Sequence, residues 1–359
     1  MDLSQTYSPF RSVLLREWRR MTSRRLYFGV CIVLPLFTLF FMATIFGNGQ
    51  MENIPIGIID QDNTATSRAI TRNISAVPTF KVVKHYVNEA AAREAVQKKE
   101  IYGYLSIPPR FEQNAITGKN ATLSYYYHYA LLSVGGELMA AFETSLAPVS
   151  LSPIIMEAGS LGADQQQITT FLLPVQANNH PIYNPSLDYS VYLSQPFFFV
   201  LFQVLILLTT VYTVGIEIKF RTATDWLATA KGNMITAVLG KLLPYTFIYI
   251  LIGWLGNYVM FGILHIPFQG SWWLINMITV LFVIATQALG LFIFSLFPAV
   301  SLVISVVSMV GSLGATLSGV TFPVSNMYPL VRDASYLFPV RHFTEMIQTM
   351  LYGGGGFIY

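Results

Sequence analysis

The sequence has 359 residues, of which 53% are hydrophobic and 11% are charged, and its mean hydropathy is +0.53. A water-soluble domain carries about 25% charged residues, so this composition excludes a single soluble domain of this length. It predicts a polytopic α-helical membrane protein with a water-exposed insert. The net charge of +3 is small, and we expect no nucleic acid partner.

The charges are distributed unevenly along the chain. Residues 1–25 contain six arginines against two acidic residues, whereas residues 48–190 contain nine basic and twelve acidic residues. Under the positive-inside rule, the N-terminus and a charged loop at residues 216–241 are expected in the cytoplasm, with residues 48–190 outside. The one cysteine, Cys31, lies in an apolar run, which excludes an internal disulfide and favours a packing role.

The N-terminal segment, residues 1–25, predicts an amphipathic helix. Ser8 and Pro9 are typical of an N-cap and a first helical position, and apolar residues then recur at helical spacing between arginines. We expect this helix to lie on the inner leaflet, where its arginines attract anionic lipid or fix the topology. Residues 26–47 follow as the first transmembrane helix, a retained signal anchor with an expected kink at Pro35.

The insert at residues 48–190 has a soluble composition and alternates predicted strands with predicted helices, which indicates a small extracytoplasmic α/β domain. The predicted elements are strands at Ile54–Asp60 and Phe80–Tyr86, a helix starting near Ser67, a helix capped by Asn88, strands in GYLSI and ATLSYYYHY, and helices at Leu131–Leu146 and Asp164–Leu172. His128 and His180 have no second ligand at metal-site spacing, so packing roles are favoured for both and no metal is expected.

Residues 191–320 contain four further apolar runs, which predict transmembrane helices two to five. They are Tyr192–Ile216, Leu242–Leu264, Ile275–Phe297 and Val300–Val320. No run has an ionisable residue in its interior, which argues against direct coupling to a proton gradient. Gln203, Tyr212 and Gln287 are candidates for lining a substrate path, although hydrogen bonding between helices is the default role of such glutamines.

The charged loop at residues 216–241 joins the second and third of these spans, so it must lie in water at one membrane face. Read as a single helix over Gly215–Asn233, it has two sides. The apolar side carries Phe220, Ala223, Trp226, Leu227 and Ala230, and the polar side carries Arg221, Thr224, Asp225 and Thr229. Such a helix is either an interfacial turn on lipid headgroups or a docking surface for a partner.

The final segment, residues 321–359, is interrupted by prolines and carries charges, so we expect no full crossing there. It predicts short half-buried helices at the outer interface, a re-entrant region that includes Pro323, Asn326, Pro329 and Pro339. A polar group in this segment is expected to neutralise itself and to contact lipid headgroups. Its members are Arg332, Asp333, Arg341, His342 and Glu345. A membrane enzyme that used this group is the least favoured function.

Several catalytic motifs are absent from the sequence. There is no G-x-x-x-x-G-K-[ST], and Gly240-Lys241, which comes nearest, is followed by Leu242 instead of Ser or Thr. H-E-x-x-H and G-x-S-x-G are also absent. We therefore expect this chain not to be an enzyme and to hold no cofactor of its own.

The order and spacing of several segments resemble the membrane subunit, or permease, of type-2 ATP-binding-cassette (ABC) transporters of the exporter type. These segments are the arginine-rich N-terminal helix, IPIGIIDQDNTATS, EAAAREAVQKKEIYGYLSIPPRF, Glu217 leading into LGKLLPY, and SGVTFPVSNMYPLVRDASYLFPVRHF. The resemblance implies a bacterial inner (plasma) membrane, a large extracytoplasmic domain between spans one and two, and a sixth span beyond the last residue given. A truncated C-terminus and a genuinely shorter protein are both open.

The resemblance also implies partners. An ABC ATPase subunit would bind ATP and Mg²⁺, and a second permease copy would complete a homodimer or a heterodimer with a paralogue. A membrane-fusion adaptor is a further candidate. By position, the coupling helix would contact the ATPase through Glu217, Phe220, Arg221, Thr224, Asp225, Trp226 and Leu227. Lys219 and Thr222-Ala223 depart from the family's acidic pair and Gly-Thr.

The implied function is export of a hydrophobic or amphipathic substrate, such as a drug or a lipid-like molecule, driven by ATP on the partner. The alternative is an envelope sensor or scaffold that transports nothing and binds a partner through its external domain.

Overall fold

The computed structural model describes residues 8–45, 51–117, 121–131, 133–146 and 190–352, together with Gly49 and Asp188. The chain divides into two units, one formed by residues 1–49 and 188–359 and the other by residues 50–187. The first, called here the membrane unit, is helical, and the second is an α/β unit. The helix predicted at Asp164–Leu172 lies outside the described residues.

The chain begins with helix α1, Pro9–Ser23, and continues into the apolar helix α2, Arg25–Ile45. Ser8 Oγ accepts a hydrogen bond from Arg11 N at 3.4 Å, which confirms the predicted N-cap. Within α2, Gly29–Val33 form a π-helical turn immediately before Pro35. Proline lacks an N–H and crowds the preceding turn, so a widened turn at this place is its expected accommodation.

The α/β unit is built on a four-stranded sheet with strand order β2-β1-β3-β4. Its elements are β1 Ile54–Asp60, α3 Ala65–Ser75, β2 Phe80–His85, α4 Glu89–Gln97, β3 Gly103–Ile107, α5 Phe111–Ile116, β4 Ser124–Tyr127 and α6 133–146. Strand β1 pairs in parallel with β2 and β3, and β4 runs antiparallel to β3. The described part of this unit thus has the strand and helix alternation that the sequence predicts.

Strand β1 lies inside the sheet, between β2 and β3, and its apolar side chains are buried on both faces. Ile56 and Ile58 belong to one hydrophobic cluster and Ile59 to another on the opposite face. A continuous apolar run is typical of such a parallel strand. The flanking helices start at side-chain caps: Thr64 forms a capping box with Ser67, and Asn88 Oδ1 accepts from Ala91 N at 2.9 Å.

Four more helices of the membrane unit are long and apolar enough to cross a membrane, and with α2 they make the five predicted spans among the described residues. They are α7 Gln195–Lys219, α9 Met234–Ile263, α10 Trp272–Leu296 and α11 Val300–Leu317. Helix α7 is the most buried of the five, and α2, α9, α10 and α11 pack against it. Short π-helical turns stand at Ser190–Ser194, before α7, and at Tyr258–Ile263, the end of α9.

Between α7 and α9 lies the short helix α8, Ala223–Thr229. The single helix predicted over Gly215–Asn233 is therefore wrong. Helix α7 continues to Lys219, and the chain then breaks at Arg221, whose φ is 55°. The physical reason is that Thr222 turns back on α7, because its backbone N donates to the Glu217 carbonyl at 2.8 Å and closes the helix end.

Helix α9 starts eight residues earlier than the predicted span at Leu242. Asn233 Oδ1 accepts from Thr236 N at 3.1 Å and so caps the helix before Met234. Helix α9 consequently includes Lys241, which the sequence pattern had placed at the edge of the span.

The last described segment forms a 3₁₀ turn, Val324–Asn326, and two helices, α12 Pro329–Ser335 and α13 Pro339–Tyr352. As expected from their prolines, both helices are short and each begins at a proline. Helix α13 packs against α7, α10 and α11, and the Phe343 ring stacks on Phe199 with centroids 3.9 Å apart.

Candidate functional site

A buried cluster of charged side chains surrounds Glu217 at the end of α7. The Glu217 side chain is fully buried and accepts hydrogen bonds from Arg16 through both carboxylate oxygens, at 3.1 and 3.2 Å. Lys241 Nζ donates to Oε1 at 2.8 Å, and Arg20 and Thr222 also donate to this carboxylate. One carboxylate therefore ties α1, α9 and the charged loop to α7.

Glu17 is the second buried carboxylate of this cluster. Its Oε2 accepts from Lys241 Nζ at 2.7 Å, and its Oε1 accepts from Tyr245 Oη at 2.8 Å. Lys241 thus bridges Glu17 and Glu217, and all three side chains are at most 1% exposed. Burial acts to lower the pKa of Arg20, but the negative charges of Glu217 and Glu17 outweigh it and raise that pKa.

Within each helix, the spacing of these residues places them on one side of that helix. Arg16 and Arg20 are one turn apart on α1, and Lys241 and Tyr245 are one turn apart on α9. The two helices approach closely at Gly240, where a Cβ atom would stand 3.0 Å from the Val13 Cβ. Glycine allows this close approach, because a Cβ atom there would force the Val13 side chain to shift by a few tenths of an ångström.

We call Arg16, Glu17, Arg20, Glu217, Lys241 and Tyr245 the ionic cluster. Its hydrogen bonds are charge-assisted, which makes them stronger than bonds between neutral groups. Removing one member of a buried ion pair leaves an uncompensated charge and costs about 3–5 kcal/mol. The cluster is therefore expected to move as one body with the ends of α1, α7 and α9.

One expectation from the sequence is wrong at this site. Helix α1 does not direct all its arginines to lipid, because Arg16 and Arg20 pair with Glu217 while Val13 and Met21 are buried against the protein. Glu217 and Lys241 lie just outside the predicted apolar runs, but helices α7 and α9 extend past those runs and include both residues. The error arises because a long-range ion pair leaves no local pattern.

The seven predicted coupling residues divide into an inner and an outer set. Glu217 and Trp226 are buried; Trp226 Nε1 donates to the Ala237 carbonyl at 3.2 Å, and its ring lies 5.2 Å from Lys241 Nζ. These two side chains hold the loop against the helices. Because both are buried, a partner could not contact them directly. The outer face, exposed in this chain, consists of Phe220, Arg221, Thr224 and Asp225, and Leu227 is half-buried beside it.

Residues 25–358 match the family described as "ABC-2 family transporter protein". The chain belongs to the ABC-2 transporter family. Two relatives, both named "Probable multidrug ABC transporter permease YbhS", come from Escherichia coli K12 and Escherichia coli O157:H7. Each is 29% identical over 121 residues, which are 33% of this chain and 31% of the relative. The aligned part thus spans about a third of these relatives, and no solved structure matches.

Glu217 and Lys241 lie within the part of the chain that matches the ABC-2 family. Arg16, Glu17 and Arg20 precede the first matched residue. The five candidate spans and the family together establish a multi-pass membrane protein. Sequence reasoning missed Glu17, Arg20 and Lys241 as members of a site. The sequence contained two signals that could have identified them. Glu17 is an acidic residue within an arginine-rich helix, and Lys241 is a lysine close to the boundary of a predicted span.

The predicted substrate-path residues of this ABC-2 protein are not brought together. Gln203 Oε1 accepts from Val340 N at 2.9 Å, and Gln287 Oε1 accepts from Thr246 Oγ1 at 2.7 Å. Tyr212 lies on α7 about 13 Å from Gln203 along the helix axis, given a rise of about 1.5 Å per residue. Its ring contributes to an apolar groove of about 280 Å³ formed with α2 and α11.

The predicted re-entrant residues all occur at turns of the ABC-2 chain. Pro323 precedes the 3₁₀ turn that ends at Asn326, and Pro329 and Pro339 start α12 and α13. His342 Nε2 lies 3.0 Å from the Tyr336 carbonyl. In the described part of the chain, no group of three or more His, Cys, Asp or Glu side chains could hold a metal ion.

Proposed function

We propose that this chain is the permease of an ATP-driven exporter in a bacterial inner (plasma) membrane, with α1 and the charged loop in the cytoplasm. The observation that carries the proposal is the ionic cluster, because it joins the charged loop to two spans and to α1. ATP and Mg²⁺ would be bound by a separate ATPase subunit. A hydrophobic or amphipathic substrate, drug-like or lipid-like, suits the uncharged middle of the spans.

Coupling would proceed from the outer face of the loop inwards. Closure of an ATPase pair would move α8 through Phe220, Arg221, Thr224 and Asp225. Thr222 and Trp226 would transmit that displacement to Glu217 and Lys241, and so to the ends of α7 and α9. Hydrolysis then drives transport because the ATPase pair binds one arrangement of the spans better than the other.

The docking test uses exposed residues, because an acidic substitution of the buried Trp226 would confound docking with folding. The chain is co-expressed with the products of its neighbouring genes and purified in mild detergent, and the recovery of any co-purifying ATPase is measured. We expect Phe220→Asp with Asp225→Arg to reduce ATPase recovery by at least about tenfold, as for a central interface contact. The matched control is Asp333→Arg, an exposed acid on α12. Full ATPase recovery with the double variant would reject docking at this face.

The orientation is tested by labelling intact cells with a membrane-impermeant maleimide. Arg72→Cys, on the α/β unit, should react, and Lys231→Cys, on the charged loop, should react only after lysis. Both positions are exposed, and the native Cys31 is buried and should stay unlabelled. Reaction of Lys231→Cys in intact cells would reverse the proposed topology.

Two permease copies with two ATPases are part of the proposal, and an adaptor across the envelope is a further candidate partner. Helices α2 and α11 are the least covered spans, so they offer surface for a second copy or for lipid. The mass of the intact complex in detergent, measured by mass photometry, should correspond to two of each chain. A complex with one permease would contradict this arrangement.

A second candidate function is an envelope sensor, favoured by a polar cleft of about 560 Å³ in the α/β unit. The cleft lies beyond the carboxyl ends of β1 and β3 and is lined by Asp62, Arg110 and Glu112, among others. In open α/β sheets, this kind of switch point is where ligands bind. Provided that the docking double variant has lost the ATPase, rescue of a deletion strain by this variant favours the sensor, and failure to rescue favours the permease.

A further inference from the structure

A pocket of about 450 Å³ lies at the elbow between α1 and α2. Helix α1 ends at Ser23, and α2 begins at Arg25. Arg24, between them, has an extended backbone with φ −114° and ψ 117°, so the two helices diverge and leave a concave surface. All residues that line this surface lie between Met21 and Ile32. We call it the elbow pocket.

The lining of the elbow pocket changes from polar to apolar along α2. Polar side chains stand at the elbow and apolar ones follow: Thr22, Ser23, Arg24 and Arg25, then Phe28, Cys31 and Ile32. Phe28 is 56% exposed on a helix that is long and apolar enough to cross a membrane, so it faces the hydrocarbon of the bilayer. A pocket with a polar part and an apolar part is complementary to an amphipathic molecule, because each part of that molecule meets groups of its own kind.

The two arginines of the elbow pocket carry uncompensated charge. Arg16 and Arg20 pair with Glu217, whereas Arg24 and Arg25 are exposed and make no ion pair with any residue that the structure describes. Within the described part of the chain, no acidic residue lines the pocket. Two neighbouring guanidinium groups without a counter-charge attract an anion. They favour a headgroup with net negative charge over a zwitterionic one, because they would repel its cationic group.

A buried hydroxyl in the wall of the elbow pocket is a second indication of a ligand. Tyr27 lines the pocket and is 2% exposed, and its Oη has no hydrogen-bond partner among the described residues. Buried hydroxyl groups are nearly always hydrogen-bonded. A polar atom from outside the described chain is therefore expected to complete the bonding of Tyr27.

Packing against α7 fixes the depth of the elbow pocket. The ring centroids of Tyr27 and Tyr212 are 5.9 Å apart, and one turn further along α2 the Cys31 side chain lies against Thr209. Helices α2 and α7 thus run in opposite directions, with the start of α2 beside the end of α7 at Lys219. This is the end of the membrane unit that holds the ionic cluster.

The elbow pocket therefore lies where the apolar layer ends. Tyr212 precedes Ile216, the end of the apolar run of α7, by four residues, which is about 6 Å along the helix axis. Arg24 and Arg25 precede Tyr27 by three and two residues, about 3–5 Å back towards the same end. Long arginine side chains near a span end extend outwards from such a position, and this brings the two guanidinium groups to the layer of lipid phosphates.

We infer that the elbow pocket binds one phospholipid whose headgroup has a net negative charge. Arg24 and Arg25 donate to the phosphate oxygens, as forked guanidinium donors do. Tyr27 Oη donates to an oxygen of the same lipid slightly deeper, at the level of the glycerol esters. One acyl chain follows Phe28 and Ile32 along α2. The inference does not depend on whether the protein transports anything, since it requires only that the elbow lies at a membrane surface.

The test measures thermal unfolding of the purified full chain in mild detergent while one lipid is added. The lipids are dioleoyl phosphatidylglycerol, which has a net negative charge, and dioleoyl phosphatidylcholine, which has the same acyl chains and phosphate but no net charge. We expect phosphatidylglycerol to raise the unfolding midpoint saturably, with a half-saturating concentration about tenfold or more below that of phosphatidylcholine. This comparison uses the wild-type chain, so it does not depend on the folding of any variant.

Two variants test the pocket itself, and a third is their control. Arg24→Gln with Arg25→Gln should raise the half-saturating concentration of phosphatidylglycerol by about tenfold or more and remove the preference over phosphatidylcholine. Thr22→Trp keeps every charge but fills the pocket with an indole, and it should weaken binding by a similar factor. Arg19→Gln with Lys219→Gln removes two exposed cations from the same end of the membrane unit, outside the pocket, and should change the concentration by less than about twofold. Without lipid, all three should unfold within about 2 °C of the wild type, because the substituted side chains are exposed.

Four results would overturn the inference. If phosphatidylcholine stabilises the wild type as well as phosphatidylglycerol does, the charge of the headgroup is irrelevant. If inorganic phosphate alone reproduces the shift at the same concentrations, the pocket takes a free anion and not a lipid. If the Arg19 and Lys219 control weakens binding as much as the loss of Arg24 and Arg25, the attraction is spread over the surface. If Thr22→Trp binds phosphatidylglycerol as the wild type does, the lipid does not occupy the pocket.

Discussion

Two regions of the membrane unit treat buried charge in opposite ways. In the ionic cluster, at the Lys219 end of α7, Lys241 bonds to both Glu17 and Glu217, and none of these three side chains has a buried polar atom without a partner. Where α13 meets α7, Arg341 Nε and Gln203 Nε2 are buried without a hydrogen-bond partner among the described residues. These three charged side chains are fully paired, whereas the second region retains unused donors.

This difference suggests different roles for the two regions. A fully bonded cluster resists local change, because any displacement breaks several charge-assisted bonds at once. It is suited to transmit a movement without distortion. Unused buried donors cost free energy unless water, a ligand or another conformation satisfies them. The region where α13 meets α7 is therefore suited to bind or to rearrange.

The largest effect is expected for Lys241→Met, which removes the cation between two buried carboxylates. We expect a loss of about 3–5 kcal/mol of stability, because Glu17 keeps only Tyr245 and a long contact with Arg20. Thermal unfolding in detergent measures the loss. The control is Lys219→Met, an exposed lysine at the same end of α7, which should change little. Equal losses in both variants would mean that the cluster is not the cause.

A smaller effect is expected where α1 meets α9. Gly240→Val places carbon atoms against Val13, and the overpacking should cost about 1–3 kcal/mol. Because α1 carries Arg16, the same variant should also weaken the ion pair with Glu217 and make α1 more sensitive to limited proteolysis. Gly29→Ala on α2 is the control, since nothing lies within 4 Å of a Cβ there. If the two substitutions prove equally mild, α1 does not depend on close packing at Gly240.

Trp226→Phe should cost about 1–3 kcal/mol, because the variant keeps an aromatic ring but loses part of the buried indole and the hydrogen bond to the Ala237 carbonyl. ATPase recovery should be retained, since the outer face of the charged loop is untouched. Unfolding and co-purification are measured on the same sample. Loss of the ATPase without loss of stability would show that Trp226 itself forms part of the docking surface.

The smallest effect is expected where α13 meets α7. In detergent, Arg341→Gln should change stability by less than about 1 kcal/mol, or raise it, because no carboxylate of the described residues loses its partner. The sign of this change relative to that of Lys241→Met is the sharpest comparison between the two regions. A loss as large as that of Lys241→Met would show that Arg341 is paired within the chain, and the two regions would then be alike.

Much of the fold could be predicted from local sequence. The five spans follow from the length of apolar runs, and the caps at Ser8 and Asn88 follow from side chains that bond to backbone three residues away. The buried β1 strand follows from an unbroken apolar run. These features are determined by neighbours in the chain, so the information is contained in short windows of sequence.

The ionic cluster and Arg341 were decided only by the tertiary structure. Lys241 meets Glu17 across 224 residues, and no periodicity in either helix records that pairing. The burial of Trp226 likewise depends on the position of α9. The sequence shows acidic residues near Arg341, but only the packing of the folded chain decides that Asp333 pairs with Arg332 instead. Whether a charge is compensated depends on which side chains packing brings within hydrogen-bond distance, and that is a property of the folded chain.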